Sequence, residues 1–310
     1  MEKEELDKRT IEKRRMWYSR AYIAYQIASY CKGRETMFLN LNPDYRDRVR
    51  YLNFSTINYL FRGLGLPTRD QIMSFEKPQD PFHFFSQKKN YSIYCSLATV
   101  DWSKSDIKAF SYSGITRKQQ QELFKENIDE LLTDFELLLD FDGDLSGKEH
   151  LEITKEEAVN RALKDLITAK KFLDSYGIRH HIIFSGNRGF HVIVKLDLDV
   201  GFKKKYEIAN KLLMEIKDVL NLDTLDAVGE LGIRKVSKTV YSLVSKNEVT
   251  NVCLPLDDRQ ISNFNLSDME VGKVMQNIRI KDRGVLERHS NQSKEQLSKN
   301  FKKMLEDLEI

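Results

Sequence analysis

In the second half of the chain the apolar positions follow two different periods, and each period predicts its own kind of element. The mostly apolar run FELLLDF (residues 135–141) is typical of a central strand. Apolar residues then recur at helical spacing from Val159 to Leu173, which predicts a helix that ends at Gly177. Thr154 and Glu157 have the spacing of a capping box at the start of this helix. A buried strand followed by an amphipathic helix is therefore expected here.

A hairpin, a second helix and a last strand are predicted after that helix. The stretch HHIIFSGNRGFHVIVKL (residues 180–196) has an apolar run on each side of a glycine-containing turn, which predicts a hairpin. A helix is predicted over about residues 202–220, and EVTNVCLPL (residues 248–256) predicts a strand. The resulting β–α–β–β–α–β order resembles the split βαβ arrangement, which has an antiparallel sheet.

The first half of the chain predicts an α/β module over residues 1–130. Helices are predicted over about residues 10–32, from Ser55 to the glycines of FRGLGLP, and over TRKQQQELFKENIDELL (residues 116–132), whereas NYSIYCSLATV predicts a strand. The tail from Ser293 predicts an amphipathic helix that packs on the body of the protein or on a partner. We therefore predict a mixed α+β protein with modules at residues 1–130, 131–260 and 261–310.

Composition excludes several classes of protein. Apolar residues make up 41% and charged residues 31% of the 310 positions, and no apolar run approaches the ~20 residues that span a bilayer. The charged N-terminus MEKEELDKRTIEKRR has no apolar core of a secretory signal, so a cytoplasmic protein is expected. The net charge of +3 does not predict nucleic-acid binding, although it permits a local basic patch.

The three cysteines are too few and too far apart for most cysteine chemistry. Cys31, Cys95 and Cys253 form neither a disulfide framework nor a metal-binding CxxC pair. Zinc or an iron–sulfur cluster held by four cysteines of this chain is therefore not expected.

Two carboxylates lie at the end of the predicted central strand in LLLDFDGD. Because side chains alternate along a strand, Asp140 and Asp142 lie on one face. Carboxylates this close repel each other unless one is protonated or a divalent cation lies between them, and oxygen ligands suit Mg²⁺ or Mn²⁺. The alternative is a solvated acidic turn. Asp144 ranks below the other two, since Gly143 is expected to break the strand.

The SGNRG turn of the hairpin could bind an anion. Gly186 and Gly189 allow positive φ and close backbone approach, so that successive N–H groups can form an anion-binding nest. Arg188 offers a guanidinium suited to phosphate oxygens, and His191 lies on the same side of the strand as Gly189. The alternative is an ordinary hairpin tip with a structural histidine.

A third stretch, LDTLDAVGELGIRKVSKTVYSL (residues 222–243), mixes acidic and basic residues. Its acids could complete a metal site and its bases could contact phosphates or a template, while the alternative is an ordinary charged loop. The candidates are Asp223, Asp226, Arg234, Lys235, Lys238 and Thr239.

In this order the three stretches resemble the archaeo-eukaryotic primase superfamily. Its pattern is an apolar strand ending in DhD, then sGxxGxH on a strand, then a third acid followed by a basic strand bearing Ser or Thr. Here these are LLLDFD, FSGNRGFHVIV and LD followed by IRKVSKTVYSL, and YCKGRETMF is similar to a stretch of archaeal members. The resemblance implies a primase catalytic core, with an RNA-recognition-motif-like antiparallel module at 131–260 after the N-terminal α/β module.

The resemblance also implies a role for each matched residue. Asp140, Asp142 and Asp223 would bind two catalytic Mg²⁺ or Mn²⁺ ions, with Asp226 as the fallback for Asp223. Nucleotide-binding residues would be Ser185, Gly186, Arg188, Gly189, His191, Arg234 and Lys235. The implied activity is that of a DNA primase catalytic subunit, which makes short RNA or DNA primers from NTPs or dNTPs on single-stranded DNA. A primase large subunit is a plausible partner.

The chain departs from the family pattern at two positions and offers one alternative. Tyr241 stands where many members have histidine, and Asn187 where some have a second arginine. Either change could weaken triphosphate binding or alter the preferred sugar, and the zinc-binding insertion of cellular small subunits is absent. The alternative is a haloacid-dehalogenase-type phosphatase with Asp140 as nucleophile, because DFDGDL fits that motif. That reading gives no reason for Gly189 and His191.

Overall fold

The computed structural model describes residues 12–14, 16–31, 33–40, 48–51, 91–101, 126–146, 149–227, 235–246, 249–277 and 291–310. The strands are β1 (Arg34–Asn40), β2 (Arg48–Tyr51), β3 (Tyr91–Val100), β4 (Leu132–Asp142), β5 (Leu145–Ser146), β6 (Glu149–His150), β7 (His180–Phe184), β8 (Gly189–Lys195), β9 (Val236–Lys238), β10 (Leu243–Lys246), β11 (Val249–Val252) and β12 (Pro255–Leu256). The helices are α1 (Ala21–Cys31), α2 (Ile128–Leu131), α3 (Lys155–Ser175), α4 (Phe202–Leu220), α5 (Asp258–Ser262), a 3₁₀ helix (Leu266–Met269), α6 (Val271–Asn277) and α7 (Lys294–Asp307).

The chain forms two compact units. The first contains residues 1–134 and 232–243, and the second contains residues 135–231 and 244–310. The mixed α+β class with an antiparallel sheet is confirmed, while the three modules named from the sequence stay a prediction. No helix among the described residues has the length and apolarity needed to cross a membrane.

The first unit has a sheet in which β3 lies between β1 and β9, and β1 also pairs with β2, all antiparallel. Trp17 and Tyr18 are fully buried, and both contact the segment that follows β9. Trp17 Nε1 donates to the Tyr241 carbonyl at 2.8 Å, and Leu243 N donates to the Tyr18 hydroxyl at 3.0 Å. Aromatic side chains from the start of the chain thus hold residues that come more than two hundred positions later.

In the second unit the strand order is β12–β7–β8–β4, and every neighbouring pair is antiparallel. All residues of β7 and β8 are buried, as expected for central strands that carry long apolar runs. The predicted capping box begins α3: Glu157 N donates to Thr154 Oγ1 at 3.2 Å, and Thr154 N donates to Glu157 Oε2 at 2.8 Å. The predicted strand, helix, hairpin and second helix are therefore confirmed.

The tail helix α7 packs on the body of the second unit. Its apolar side chains are buried: Leu297, Phe301, Met304 and Leu305. The Tyr176 hydroxyl donates to Asp307 Oδ2 at 2.9 Å, and this contact with a carboxylate raises the pKa of Tyr176. Of the two packing alternatives, the helix adopts contact with the body.

Several sequence expectations have a different outcome. EVTNVCLPL forms two strands, β11 and β12, because the backbone leaves the extended pairing between Val252 and Pro255. The small hairpin of β5 and β6 was not expected. The predicted helix from Ser55 lies outside the described residues, as does most of the helix predicted over 116–132.

Candidate active site

The two predicted motif carboxylates lie at the C-terminal end of β4, directly beside β8. In this register Asp140 is opposite His191 and Asp142 is opposite Gly189. Asp140 Oδ1 is 3.5 Å from His191 Nε2, and His191 is buried whereas Asp140 is partly exposed. Since alternate residues share a face, Asp140, Asp142 and His191 lie on one side of the sheet. The sheet thus joins the first predicted motif to the second.

The same face carries a second charged pair deeper along the two strands. Glu136 is opposite Lys195, and their side chains form an ion pair. Both are buried, with 1% of Glu136 and 8% of Lys195 exposed. A buried charge is strongly destabilising unless it is paired, so the ion pair between Glu136 and Lys195 allows both side chains to be buried.

The SGNRG turn closes directly onto β4. Ser185 N donates to the Gly189 carbonyl at 3.0 Å, and Gly186 has a φ of 83°. A Cβ at Gly189 would lie only 1.7 Å from the Phe141 carbonyl oxygen. Both predicted glycines are therefore required by the backbone, one for a left-handed conformation and the other for close approach of two strands.

Residues of β10, of β11 and of the segment after β11 support the turn. Asn251 Nδ2 donates to the Gly186 carbonyl at 3.0 Å, and Cys253 Sγ donates to the Ser185 carbonyl at 3.1 Å. Val244 fills the space beside Gly186. Sequence reasoning missed these residues, because they are about sixty positions from the turn and match no local motif.

Arg188 is held by the turn that follows β4. Its guanidinium forms an ion pair with Asp144, which is only 4% exposed. Gly143 N also donates to the Arg188 carbonyl at 3.3 Å, and Arg161 Nη1 donates to the Gly143 carbonyl at 2.6 Å. Asp144, ranked below the two motif aspartates, is thus the direct partner of the predicted phosphate-binding arginine.

The acidic third stretch meets the opposite edge of β4. Phe141 pairs with Leu225 in an antiparallel bridge, flanked by bonds from Asp142 N to the Thr224 carbonyl and from Asp226 N to the Asp140 carbonyl, both 2.8 Å. This pairing brings Asp226, the fallback choice, opposite Asp140.

The first choice for the third acid, Asp223, has a different setting. It lies in the turn before this bridge, and its side chain is exposed. The bridge therefore does not bring Asp223 next to Asp140. The role of either acid stays a prediction.

The roles of the two basic candidates of that stretch stay a prediction. Arg234 lies outside the described residues. Lys235 belongs to the first unit, where its carbonyl accepts from Leu97 N at 3.1 Å. In the part of the chain that the structure describes, no three His, Cys, Asp or Glu residues form a group that could hold a metal ion.

Comparison with known proteins gives consistent matches. A family model described as DNA primase small subunit matches residues 139–307, which include the end of β4 and the SGNRG turn. The DNA primase small subunit PriS of Sulfolobus acidocaldarius is 28% identical over 178 residues, 56% of this chain and 51% of the relative. The chain therefore spans about half the length of the curated relative that it matches.

A solved structure matches nearly the whole chain in fold. The polymerase domain from Mycobacterium tuberculosis Ligase D, in complex with DNA, has a TM-score of 0.51 and covers 90% of this chain and 92% of its own. With 12% sequence identity, this likeness concerns the fold alone. It agrees with the antiparallel α+β core predicted from the sequence.

Proposed function

Because this chain belongs to the DNA primase small subunit family, we propose that it synthesises short RNA or DNA primers from nucleoside triphosphates on a single-stranded DNA template. The reaction is nucleotidyl transfer, in which a 3′-hydroxyl oxygen attacks the α-phosphate and pyrophosphate leaves. The observation that carries the proposal is the β4–β8 register, with Asp140 and Asp142 beside His191 and Gly189. The family match favours this reaction over the phosphatase alternative.

Asp140 and Asp142 would hold the divalent cations. Their shared face at a strand end fits this role, since neighbouring carboxylates need a positive charge between them. A site with few protein ligands also suits Mg²⁺, which commonly binds one or two carboxylates together with substrate phosphates. When bound, the two cations supply charge that stabilises the attacking and leaving oxygens of an in-line displacement.

Asp226 is the better candidate for the third carboxylate. Its N–H bond to the Asp140 carbonyl and the Phe141–Leu225 bridge support this choice over the exposed Asp223. Opposite residues of an antiparallel bridge direct their side chains to the same face. Asp226 would therefore share a face with the two motif aspartates.

The SGNRG turn would bind the triphosphate. Its backbone N–H groups near Gly186 and Gly189 and the Arg188 guanidinium are the kinds of donor that phosphate oxygens accept from. His191, at 3.5 Å from Asp140, would orient that carboxylate and donate to a phosphate oxygen. These residues act by positioning and by offsetting charge, which are the main sources of rate in phosphoryl chemistry.

A primer-synthesis assay tests the proposal. The purified protein is incubated with single-stranded DNA, labelled ATP, the other nucleotides and Mg²⁺ or Mn²⁺, and products are resolved by length. Asp140→Asn and Asp142→Asn should each abolish metal-dependent products while the melting temperature is kept. Extension at near-wild-type rate by either variant would show that the metal assignment is wrong.

A matched pair of variants separates the candidates for the third acid. Asp226→Asn should lower product formation by at least about 100-fold, because it removes a carboxylate that would hold the catalytic cations. Asp223→Asn makes the same chemical change at an exposed position and should leave the rate within about twofold of wild type. If Asp223→Asn loses activity and Asp226→Asn keeps it, Asp223 is the third carboxylate.

A further inference from the structure

Asp144 is a buried acid that the proposed chemistry does not use. It is 4% exposed and follows the motif by only two residues, in the turn between β4 and β5. Its charge is matched by the Arg188 guanidinium, whose side chain is 27% exposed. A buried carboxylate without such a cation would be strongly destabilising. The ion pair therefore connects the partly exposed Arg188 side chain to the buried Asp144.

The backbone around Asp144 leaves this acid little freedom. Leu151 N donates to the Asp144 carbonyl at 2.7 Å, and Arg161 Nη1 donates to the Gly143 carbonyl at 2.6 Å. A Cβ at Gly143 would lie 1.6 Å from the Ala158 carbonyl oxygen, so the turn lies against α3 with no space for a side chain. Asp144 is therefore bonded to Leu151, the residue after β6, and its neighbour Gly143 lies against α3.

Arg188 is joined to the same turn through its main chain. Gly143 N donates to the Arg188 carbonyl at 3.3 Å, next to the Asp142–Gly189 pair of the ladder. The guanidinium carries five N–H donors in a rigid fork, so one carboxylate contact leaves donors for a phosphate. An arginine held in advance loses less side-chain entropy when it binds an anion.

We propose that Asp144 is a positioning residue that orients the Arg188 guanidinium for the nucleotide triphosphate. The inference rests on the proposed function and deepens it, since it assigns to this acid part of the affinity for nucleotide. Asp144 acts through Arg188 and does not itself contact the metal or the reacting atoms. Its removal should therefore weaken nucleotide binding much more than it slows the chemical step.

The test is a double-mutant cycle on nucleotide affinity. Asp144→Asn keeps the shape of the side chain and removes its charge, and it should raise the KM for NTP about tenfold with kcat within about threefold, a typical coupling for residues in contact. Dissociation constants for a non-hydrolysable NTP, measured by calorimetry, should rise by the same factor. In an Arg188→Gln background the same substitution should change affinity by less than about twofold, because the contact between Asp144 and Arg188 is already lost.

A matched control separates positioning from stability. Asp197 also pairs with an arginine, Arg179, and its side chain is 11% exposed, but it lies at the other end of the hairpin. Asp197→Asn should lower the melting temperature comparably and leave the KM for NTP unchanged. If Asp144→Asn does not fold, Asp144→Glu carries the same test, since it keeps the charge and displaces it by one methylene. That variant should recover wild-type kcat with an intermediate KM.

The outcomes distinguish this inference from the proposed function. Primer synthesis by Asp144→Asn with unchanged KM, or additive effects of Asp144→Asn and Arg188→Gln, would overturn the positioning role and leave the function intact. A wild-type protein that makes no polymer but binds NTP with the non-additive cycle would overturn the function and keep the positioning role. Absence of NTP binding by the folded wild-type protein would overturn both.

Discussion

Substitution of Gly189 by alanine should damage the fold and the candidate site together. The added Cβ would lie 1.7 Å from the Phe141 carbonyl oxygen and 2.8 Å from its carbonyl carbon, whereas ordinary contacts begin at 3.4 Å. The backbone of β4 or β8 must shift, because both contacts are backbone atoms that cannot rotate away. Hydrogen bonds of the β4–β8 ladder near Asp142 would then break.

The expected cost follows from two contributions. Overpacking in a rigid environment costs about 1–3 kcal/mol, and each ladder hydrogen bond that is lost costs about 1 kcal/mol. We expect Gly189→Ala to lower the free energy of unfolding by about 3 kcal/mol or more. The NTP affinity should fall in the fraction that stays folded, since the turn and β4 no longer hold their spacing.

The test measures denaturant unfolding by circular dichroism for Gly189→Ala and for a control substitution at a second glycine. Gly272 lies in α6, where a Cβ would meet no heavy atom within 4 Å. Gly272→Ala should therefore raise the unfolding midpoint slightly, since alanine favours a helix by about 0.5–1 kcal/mol. A Gly189→Ala protein as stable as wild type, with unchanged NTP affinity, would refute the close approach of the two strands.

Two further predictions concern charge. Glu136→Gln should lower the free energy of unfolding by about 3–5 kcal/mol, because it removes the charge that pairs with the buried Lys195. The double variant Glu136→Leu with Lys195→Met should recover most of this loss in urea unfolding, and a loss that persists would contradict the explanation. The Thr154 hydrogen bonds lower the pKa of Glu157, so this contribution to stability is complete above the ordinary glutamate pKa and is lost as the pH falls through the lowered value of the folded protein. The difference in melting temperature between wild type and Thr154→Ala should therefore shrink in acid, and a constant difference from neutral to acidic pH would argue against this linkage.

Elements with a strong local pattern could be predicted from the sequence. The run FELLLDF, the capping box at Thr154 and the apolar runs around SGNRG each determine structure through neighbours in the chain, and β4, α3 and the β7–β8 hairpin confirm them. The tail helix α7 could also be predicted from the sequence, because its apolar residues recur at helical spacing.

Long-range pairing could not be predicted in the same way. Asn251 and Cys253 contact the turn only because β12 pairs with β7, a register that no local pattern specifies. Sequence spacing preferred Asp223, whereas the bridge of Leu225 to Phe141 brings Asp226 opposite Asp140. A single bridge between distant segments thus determines which of two acids three positions apart lies opposite Asp140, and their roles stay a prediction.

The fully buried strand β8 has a consequence for how the protein loses activity on heating. It lies between β7 and β4, so its amide groups are shielded on both edges and it belongs to the part of the unit that opens last. His191 and Gly189 are residues of this strand. We therefore expect amide hydrogens of β8 to exchange only through global opening of the second unit, and thermal inactivation to coincide with that opening.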